Sequence, residues 1–450
     1  MRLYLCLLSL ASTLSLPTAV SAMDLLEALH LANQNDPNFA AIRASRGLAE
    51  QTPNIARSFL LPHVVITGGV SHNDLKQDQI TLAPGLPGIG GNSTYDTKNW
   101  GVKVTQPLFN WSAYNQFKAA KSQRSRDDAK ADEQQQNMIL NVAESYFNVL
   151  RAEENLALTN SRETALNKKL NESQARLTAG LSPKLDAIES EAQRDNATSQ
   201  RLAAEDQLNS ARERLNASVG VQVNTLAPLD SHMPIAAPIP NDINAWSNLA
   251  STNNPKLISL SYDSEANHSA QMALRGEDLP QVNLYAAYNN TQNTGASNSY
   301  EAAIASGQTT VVGVEARWDL FSGGHTFASQ RQAAYNTELS NLNLQSAQQN
   351  IKNQTRSLFM TVTTDASRIT ANRKNVASAE TAYNMIKSGY SVGNQSVIDL
   401  FTSDSKLYSA RLGLANSRYD YIINSLRLHA AAGTLNEDVI ANINHWLKNQ

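Results

Sequence analysis

Few residues in this sequence are placed for covalent catalysis or for binding a metal ion. The eight histidines are scattered, and none stands in an HExxH pattern or in another paired spacing that would hold a metal. The one cysteine, Cys6, lies inside an apolar N-terminal stretch. No combination of serine, histidine and aspartate that would form a hydrolytic triad is apparent. The sequence therefore predicts no metal site, no cofactor and no enzymatic activity.

Charged residues in regular patterns are the remaining candidates for function. Lys103, Glu315 and Arg317 occur where apolar and polar residues alternate, each on the polar side of its segment. Such charges are costly when they face lipid but ordinary when they face water. Asp186 and Asp399 each follow a glycine-containing turn, where an acidic side chain can cap the start of a helix. These residues indicate an electrostatic or structural role.

An internal repeat places the two aspartates at equivalent positions. The segment Ala32–Pro37 recurs as Ala250–Pro255 at an offset of 218 residues, and Asp186 matches Asp399 at an offset of 213. We therefore predict a first structural repeat over residues 23–220 and a second over residues 246–433. Between them, a connector over residues 221–245 carries several prolines, and a C-terminal segment follows over residues 434–450.

Two stretches of strict alternation in each repeat predict β-strands. The expected strands cover about residues 62–73 and 98–107 in the first repeat, and about 280–289 and 309–319 in the second. Each has one apolar and one polar face. Loops rich in Gly, Asn, Ser and Thr, at about residues 73–98 and 290–308, separate the strands of each pair.

Helical periodicity fills most of the remaining chain. One such pattern runs from Asp24 to about Ser58, and the second repeat also opens with a helix. Much longer helices are expected at about residues 111–178, 184–218, 326–388 and 397–432. At ~1.5 Å per residue, the longest would span on the order of 100 Å. Their Ala, Gln, Asn and Ser content is typical of helices that pack closely while one side stays wet.

Composition and the N-terminal segment restrict where the protein acts. Residues 1–22 have the features of a secretory signal peptide: Arg2, an apolar stretch over Leu3–Leu16, and small residues before Met23. No comparable apolar run follows, which excludes a helical membrane protein but not a membrane β-barrel, whose strands carry only one apolar face. The formal net charge is −3, without the basic excess that is typical of nucleic-acid binding.

The predicted strands have two interpretations: soluble hairpins covered by the helices, or part of a membrane β-barrel. The polar, alanine-rich helices offer little apolar surface to cover the strands. Trp100 and Trp318 are expected near strand ends, where interfacial aromatic residues belong. We therefore favour the barrel. Four strands are too few to close a barrel, and an open edge in lipid leaves backbone groups unpaired. Several chains must then contribute, two giving eight strands and three giving twelve.

Several stretches resemble the TolC family of outer-membrane efflux and type I secretion channels, the outer-membrane factors. They are Leu140–Leu150 (LNVAESYFNVL), Gly389–Gly393 (GYSVG) and Leu414–Glu437 (LANSRYDYIINSLRLHAAAGTLNE), and the similarity extends over essentially the whole chain after residue 22. The resemblance implies an α+β membrane protein that forms a homotrimer. Its twelve-stranded outer-membrane β-barrel would continue as an α-helical coiled-coil barrel through the periplasm, with residues 434–450 in the equatorial region.

The resemblance also implies a function and partners. Channels of this family export drugs, toxic small molecules or type I secreted proteins, and they have no catalytic activity of their own. They dock to a periplasmic adaptor, also called a membrane-fusion protein, and work with an inner-membrane pump of the RND, ABC or MFS type. The expected location is the outer membrane of a Gram-negative bacterium, with outer-membrane lipid around the barrel and the helical tunnel in the periplasm. No nucleic acid is expected as a partner.

A periplasmic gate is the site that the resemblance implies. In a trimer, Asp186 and Asp399 would place six carboxylates around a constriction and attract cations. Tyr390 matches the tyrosine of the family's gate and is expected to hydrogen-bond Asp186. The adaptor is expected to contact the two helix-tip turns, through Gly180, Leu181, Ser182, Gly393, Asn394 and Ser396.

Three residues depart from the family pattern at this gate. Gln395 stands where the family has an arginine, Thr402 where it has a second aspartate, and Leu185 where it has a threonine. A charge-assisted link between neighbouring helices is then missing. We therefore expect a closed state held by weaker neutral hydrogen bonds, and a gate that opens more easily.

A surface stalk is the alternative function. Such a protein, an adhesin for example, would be a coiled coil anchored by a trimeric barrel and would transport nothing. A conduit needs periplasmic helices that end in a constriction, whereas an adhesin projects its stalk outward. The paired turns near residues 179–186 and 389–399 favour the conduit.

Overall fold

The computed structural model describes residues 22–76, 78, 84, 92–230, 232–295 and 306–448. The expected signal peptide, except for Ala22, lies outside these residues, as do the inner parts of the two loops between strands. In the ranges that the structure describes, no helix has both the length and the apolar character needed to cross a membrane.

The elements follow the same order twice: helix, helix, strand, strand, long helix, helix. The first pass contains α1 (Leu25–Asn35), α2 (Pro37–Ser58), β1 (His63–Leu75), β2 (Ser93–Phe109), α3 (Trp111–Thr178) and α4 (Lys184–Val219). The second contains α5 (Ile243–Asn253), α6 (Pro255–Arg275), β3 (Gln281–Thr294), β4 (Gly307–Arg317), α7 (His325–Ser391) and α8 (Val397–Ala431). A short 3-10 turn, Gly276–Asp278, precedes β3, and α9 (Glu437–Asn444) follows α8.

The segment from Asp24 to Ser58, expected as one helical pattern, is divided at Asp36. The Asp36 carboxylate accepts a hydrogen bond from the backbone N–H of Asn38 (2.8 Å) and so caps α2. Pro37 takes the first helical position, where no N–H donor is needed. The same break recurs at Asn254 and Pro255. An Asp-Pro or Asn-Pro pair is a helix-start signal, and it overrides the apolar periodicity on either side.

The described strands form one antiparallel sheet in the order β1–β2–β3–β4. The register pairs Ile66 with Val102, Val102 with Tyr288, and Ala286 with Val312. Directly paired residues lie on the same face, so most of the apolar residues of the four strands form one face. The helices continue this order, because α2 packs on α3, α3 on α6, and α6 on α7.

All four strands extend further into the predicted loops than the alternation suggested, β2 and β3 by the most. β2 begins at Ser93 rather than near residue 98, and β3 continues to Thr294 rather than ending near residue 289. Polar side chains connect the strands here: Asn73 Nδ2 donates to Thr97 Oγ1 (2.9 Å), and Thr97 Oγ1 donates to Asn293 Oδ1 (2.7 Å). Hydropathy does not reveal a strand held by such cross-strand bonds.

The middle of the molecule holds its largest apolar core. Tyr146 and Phe147 of α3 are fully buried there, together with Leu426 of α8. The Tyr146 hydroxyl lies within hydrogen-bond distance of the carbonyl oxygens of Met23 (3.0 Å) and Ala227 (3.1 Å). The N-terminal segment, the connector and α3 therefore meet at this core. The C-terminal segment joins them, since Leu229 forms a β-bridge with Leu447.

Helices α8 and α6 meet end to end beside this core. The Asn254 side-chain amide donates to the Ala431 carbonyl (2.9 Å), while its oxygen accepts from the N–H of Lys256 (3.0 Å). Gly433 has a φ of 70°, and a Cβ at this position would overlap the backbone of Asn253. The junction of α4 with the end of α1 is similar, because a Cβ on Gly220 would come within 2.8 Å of the Asn35 side chain. Glycine is needed at both junctions.

Candidate functional site

The two helix-tip turns have the same backbone geometry. Gly180 follows α3 with a φ of 70°, and Gly393 follows α7 with a φ of 82°. After α3, the N–H of Leu181 donates to the Arg176 carbonyl (2.8 Å); after α7, the N–H of Asn394 donates to the Gly389 carbonyl (2.9 Å). These are the bonds of a helix C-terminus closed by a left-handed residue. The predicted turn residues therefore lie at two equivalent reversals.

Asp399 caps the helix that follows the second turn. Its backbone N–H donates to Ser396 Oγ (3.1 Å), and its carboxylate accepts from the backbone N–H of Ser396 (3.2 Å). These reciprocal bonds form a capping box. The hydrogen bonds from the Ser396 side chain and backbone lower the pKa of Asp399, so the carboxylate stays charged.

Asp186 has a different environment. Pro183 is the N-cap residue of α4 and offers no side-chain cap. Asp186 lies half-buried in the first turn, where its negative charge interacts favourably with the helix N-terminus. The helix-capping role considered for both aspartates thus applies to Asp399, which forms a capping box. Asp186 acts only through the position of its charge in the first turn of α4.

Tyr390 does not hydrogen-bond Asp186 in the described structure, contrary to the expectation. Its ring is buried at the end of α7, with Lys169 Nζ 4.1 Å from the ring centre and the Arg176 guanidinium 5.8 Å away. Burial raises the pKa of Tyr390, the nearby Asp186 carboxylate raises it further, and Arg176 opposes both. Two cations over the ring hold Tyr390 by cation–π attraction instead of through its hydroxyl.

Tyr390 also belongs to a small apolar cluster that joins the helices just above the turns. Its partners come from α3, α4 and α8: Leu166, Ala197, Val397, Leu400 and Phe401. The cluster is separate from the main core. The two coiled coils, α3 with α4 and α7 with α8, are therefore packed against each other near their tips.

The residues that depart from the family pattern lie on the surface of this chain. Gln395 and Thr402 are exposed and line an open groove of about 950 Å³ between α4, α7 and α8, together with Asp399. The Gln395 side chain lies over Gly389, where a Cβ would come within 2.7 Å of Gln395 Cγ. Leu185 is exposed on α4. The groove thus brings Gln395, Thr402 and Asp399 together, whereas Asp186 and Tyr390 lie outside it.

The sheet places Lys103, Glu315 and Arg317 on one face, opposite the apolar face. Lys103 pairs with Val65 and Ala287, and its ammonium group lies 5.9 Å from the Tyr285 ring. Glu315 pairs with Asn283 and Arg317 with Gln281, so this face is largely polar. The register assigns all three charged residues to the face predicted for them.

The two tryptophans are not at equivalent strand ends, so this expectation was wrong for Trp100. Trp318 follows the last residue of β4, and its ring N–H donates to the Asp278 carbonyl (3.0 Å). Trp100 lies in the middle of β2, on the apolar face, with its ring 5.3 Å from that of Tyr288. The prediction failed because β2 starts earlier than the alternation indicated.

Sequence reasoning missed the ion pairs that connect the helices. Arg162 of α3 pairs with Asp404 of α8 (2.9 Å), and Arg151 of α3 pairs with Asp420 of α8 (2.9 Å). Partners more than 200 residues apart give no local signal in a single sequence. The internal repeat relates α3 to α7 and α4 to α8, so it gives no register between α3 and α8 and would not have found these pairs.

Comparison with known proteins decides the family. Residues 28–221 and 246–434 match the outer membrane efflux protein family. The chain belongs to this family. It is 28% identical to the outer membrane protein TolC of Vibrio cholerae over 437 residues, covering 96% of each chain. It is also 27% identical to the alkaline protease secretion protein AprF of Pseudomonas aeruginosa, over 92% of this chain and 85% of that protein.

Solved structures share the fold. The Campylobacter jejuni CmeC outer membrane channel superposes with a TM-score of 0.77 at 16% identity, covering 100% of this chain and 98% of that one. The outer membrane protein VceC of Vibrio cholerae gives a TM-score of 0.76 at 16% identity, over 91% and 96%. The resemblance to TolC-type outer-membrane factors is thereby confirmed, as is the mixed helix and strand content. The protein is an outer-membrane protein of a family of export channels.

Proposed function

We propose that three copies of this chain form an export channel, with a twelve-stranded barrel in the outer membrane and a helical tunnel in the periplasm. One observation carries the proposal: the strand layer and the helix layer end at the same two edges. In the described chain, β1 and β4 are the outer strands of the sheet. The helices next to the sheet pack in the order α2–α3–α6–α7, so α2 and α7 are the outer helices of that layer. Because the elements follow the same order in both repeats, the edge formed by β1 and α2 in one copy can pair with the edge formed by β4 and α7 in the next.

The strand edges require partners in lipid. A sheet that ends at β1 and β4 leaves rows of backbone N–H and C=O groups at both edges, each costing several kcal/mol when unsatisfied in hydrocarbon. Pairing β1 of one copy with β4 of the next removes both edges at once. Eight strands leave a bore just filled by side chains, whereas twelve leave space for water. A polar inner face with Lys103, Glu315 and Arg317 favours twelve.

The helix edges carry matching apolar stripes. On α2 the exposed side chains are Leu48 and Ile55, with Phe59 at its C-cap. On α7 they are Phe327, Tyr335, Leu339 and Leu342. Contiguous exposed apolar surface of this kind marks an interaction site. We propose that α2 of one copy packs on α7 of the next, directly below the β1–β4 contact.

The sheet faces fit a barrel in lipid. Val64, Ile66, Val70, Val312 and Val314 are strongly exposed in the single chain, and in the proposed trimer they contact lipid. Lys103, Glu315 and Arg317 face the aqueous lumen. Trp318 lies beyond the end of β4, at the membrane interface, while Trp100 is a lipid-facing residue of the barrel wall.

The helix tips form the periplasmic gate and the adaptor contact. Asp186 and Asp399 of three copies supply the proposed ring of six carboxylates, and the exposed Gln395 and Thr402 replace charged links between neighbours. The turns at Gly180–Ser182 and Gly393–Ser396, with the groove beside them, contact the adaptor, which couples the channel to an inner-membrane pump. The relatives named for protease secretion and the family's description as efflux proteins support secreted proteins and small molecules as cargo classes.

Conductance tests the channel. The full mature chain, purified in detergent and added to planar lipid bilayers, is expected to produce discrete, cation-selective current steps. A chain that inserts without conducting ions would contradict the proposal.

The position of the helix tips separates the channel from the surface stalk. Since Cys6 lies in the predicted signal peptide, Leu181→Cys introduces the one thiol of the mature chain, on an exposed turn. With a membrane-impermeant thiol reagent, the channel predicts labelling only after the outer membrane is permeabilised. Labelling of intact cells would instead support the stalk.

A further inference from the structure

Arg162 of α3 connects three helices at a point slightly farther from the helix tips than the Tyr390 cluster. Its Nε donates to Asp404 Oδ2 (2.9 Å) and its Nη2 to Ser405 Oγ (2.8 Å), both on α8, while its Nη1 donates to Gln200 Oε1 on α4 (3.0 Å). Its guanidinium carbon lies 4.6 Å from the centre of the Tyr408 ring. The planar, always charged guanidinium is suited to such a fixed set of bonds, which a lysine does not reproduce.

The Arg162–Asp404 pair is well shielded from water. The side chains retain 10% and 19% of their accessible surface. Separating a shielded pair without rehydrating it leaves a charge in a poorly solvated site, which is strongly unfavourable. The packed arrangement of the helices is therefore favoured as long as both partners are present.

The Arg162–Asp404 pair joins the two coiled coils, unlike the other ion pairs that lie between it and the helix tips. Among the described residues from position 160 to the tips, the other ion pairs stay within α3 and α4 or within α7 and α8. Glu163–Arg201 joins α3 to α4 (2.8 Å), and Arg411–Glu380 joins α8 to α7 (2.9 Å). Arg162 lies on α3 roughly 24 Å from Thr178, at about 1.5 Å per residue. It is thus placed to hold the coils together just above the apolar cluster and the turns.

We propose that Arg162 and Asp404, supported by Tyr408, form a latch that keeps the α7–α8 coil against the α3–α4 coil and so keeps the channel closed. The inference rests on the proposed channel function and names residues that hold its gate. The family's arginine is replaced by the exposed Gln395 at the turn, and the latch supplies a charged link higher on the helices. Opening separates the coils at this level and exposes both side chains to water.

The test compares two salt bridges of similar length and burial. Asp404→Asn breaks the link between coils, whereas Glu163→Gln breaks the pair with Arg201 inside one coil; that pair has side-chain exposures of 17% and 26%. In planar bilayers, Asp404→Asn is expected to raise single-channel conductance several-fold over the unmodified protein. Glu163→Gln is expected to leave conductance close to that of the unmodified protein. Equal conductance in all three proteins, or an equal rise in both variants, overturns the latch.

A reversible cross-link separates an open gate from a misfolded protein. The side-chain amides of Asn155 on α3 and Asn416 on α8 lie 3.5 Å apart across the same interface. In Asn155→Cys/Asn416→Cys/Asp404→Asn, a short thiol-cleavable linker is expected to restore the low conductance, and a reductant to raise it again. A linked channel that still conducts at the high level refutes the latch. If the unmodified protein forms no channel, the proposed function fails and the latch with it.

Discussion

Gly433→Ala is expected to destabilise the protein much more than Gly393→Ala, although both glycines follow helix ends with a left-handed backbone. Gly433 has a φ of 70° and Gly393 a φ of 82°. Placing a Cβ residue in this region costs about 1–2 kcal/mol. At Gly393 nothing lies within 4 Å of the added Cβ, so that term acts alone. It is therefore the matched control.

At Gly433 the added methyl group meets backbone rather than a flexible side chain. It overlaps the carbonyl of Asn253 and comes within 2.7 Å of the Asn254 nitrogen. Overpacking of this kind typically costs about 1–3 kcal/mol more. Relief requires α6 to move away from α8, which also stretches the bond from Asn254 to Ala431. The expected loss for Gly433→Ala is thus about 2–5 kcal/mol, the sum of the two terms.

The assay is thermal unfolding of the detergent-solubilised protein, followed by circular dichroism at one scan rate and one protein concentration. Gly393→Ala is expected to lower the apparent Tm slightly, and Gly433→Ala by at least twice as much. Equal shifts would refute the end-to-end packing of α8 on α6. Gly220→Ala, at the corresponding junction of α4 with the end of α1, is expected to behave like Gly433→Ala.

Three further predictions concern pH, selectivity and assembly. Burial lowers the pKa of His429. Below the ordinary imidazole pKa of about 6.5, the unfolded chain therefore binds a proton that the folded chain does not, and stability decreases as the pH is lowered. His429→Gln is expected to make the apparent Tm less dependent on pH between pH 7.5 and 5.5, and an unchanged slope would assign the effect to other groups. Asp186→Asn/Asp399→Asn is expected to reduce cation selectivity, measured as the reversal potential under a salt gradient. Asp195→Asn, on α4 but outside the proposed ring of carboxylates, is the control. The same loss of selectivity in both variants would argue against the ring. Tyr335→Glu/Leu339→Glu places charges on the proposed α2–α7 contact and is expected to yield smaller particles on size-exclusion chromatography. Asn336→Glu, exposed on the same helix, is the control and is expected to leave the particle size unchanged. Trimers from both variants would contradict the contact.

Patterns of hydropathy in the sequence were sufficient for the strand faces and the long helices. Val102 and Val312 alternate with polar neighbours, and the register places them on the face predicted for them. Such alternation is visible because one face of each strand must be apolar throughout its length. The ends of the strands were less predictable, since Asn73, Thr97 and Asn293 hold the sheet there by polar bonds.

The candidate site depended on contacts that a single sequence does not encode. The glycines at positions 180 and 393 were recognisable as turn residues because a helix reversal favours positive φ. The position of Tyr390 under Lys169 and Arg176, rather than against Asp186, follows from how α3 and α7 pack. The Arg162–Asp404 pair likewise depends on the register between α3 and α8, which the internal repeat does not provide because it relates α3 to α7 and α4 to α8.

The central claim is that one chain supplies a third of a closed barrel. Native mass spectrometry of the protein released from detergent measures this directly, because it counts the chains in each particle. We expect three chains per particle and a conducting pore from the same preparation. A particle of one chain that stays in solution without detergent would contradict the account.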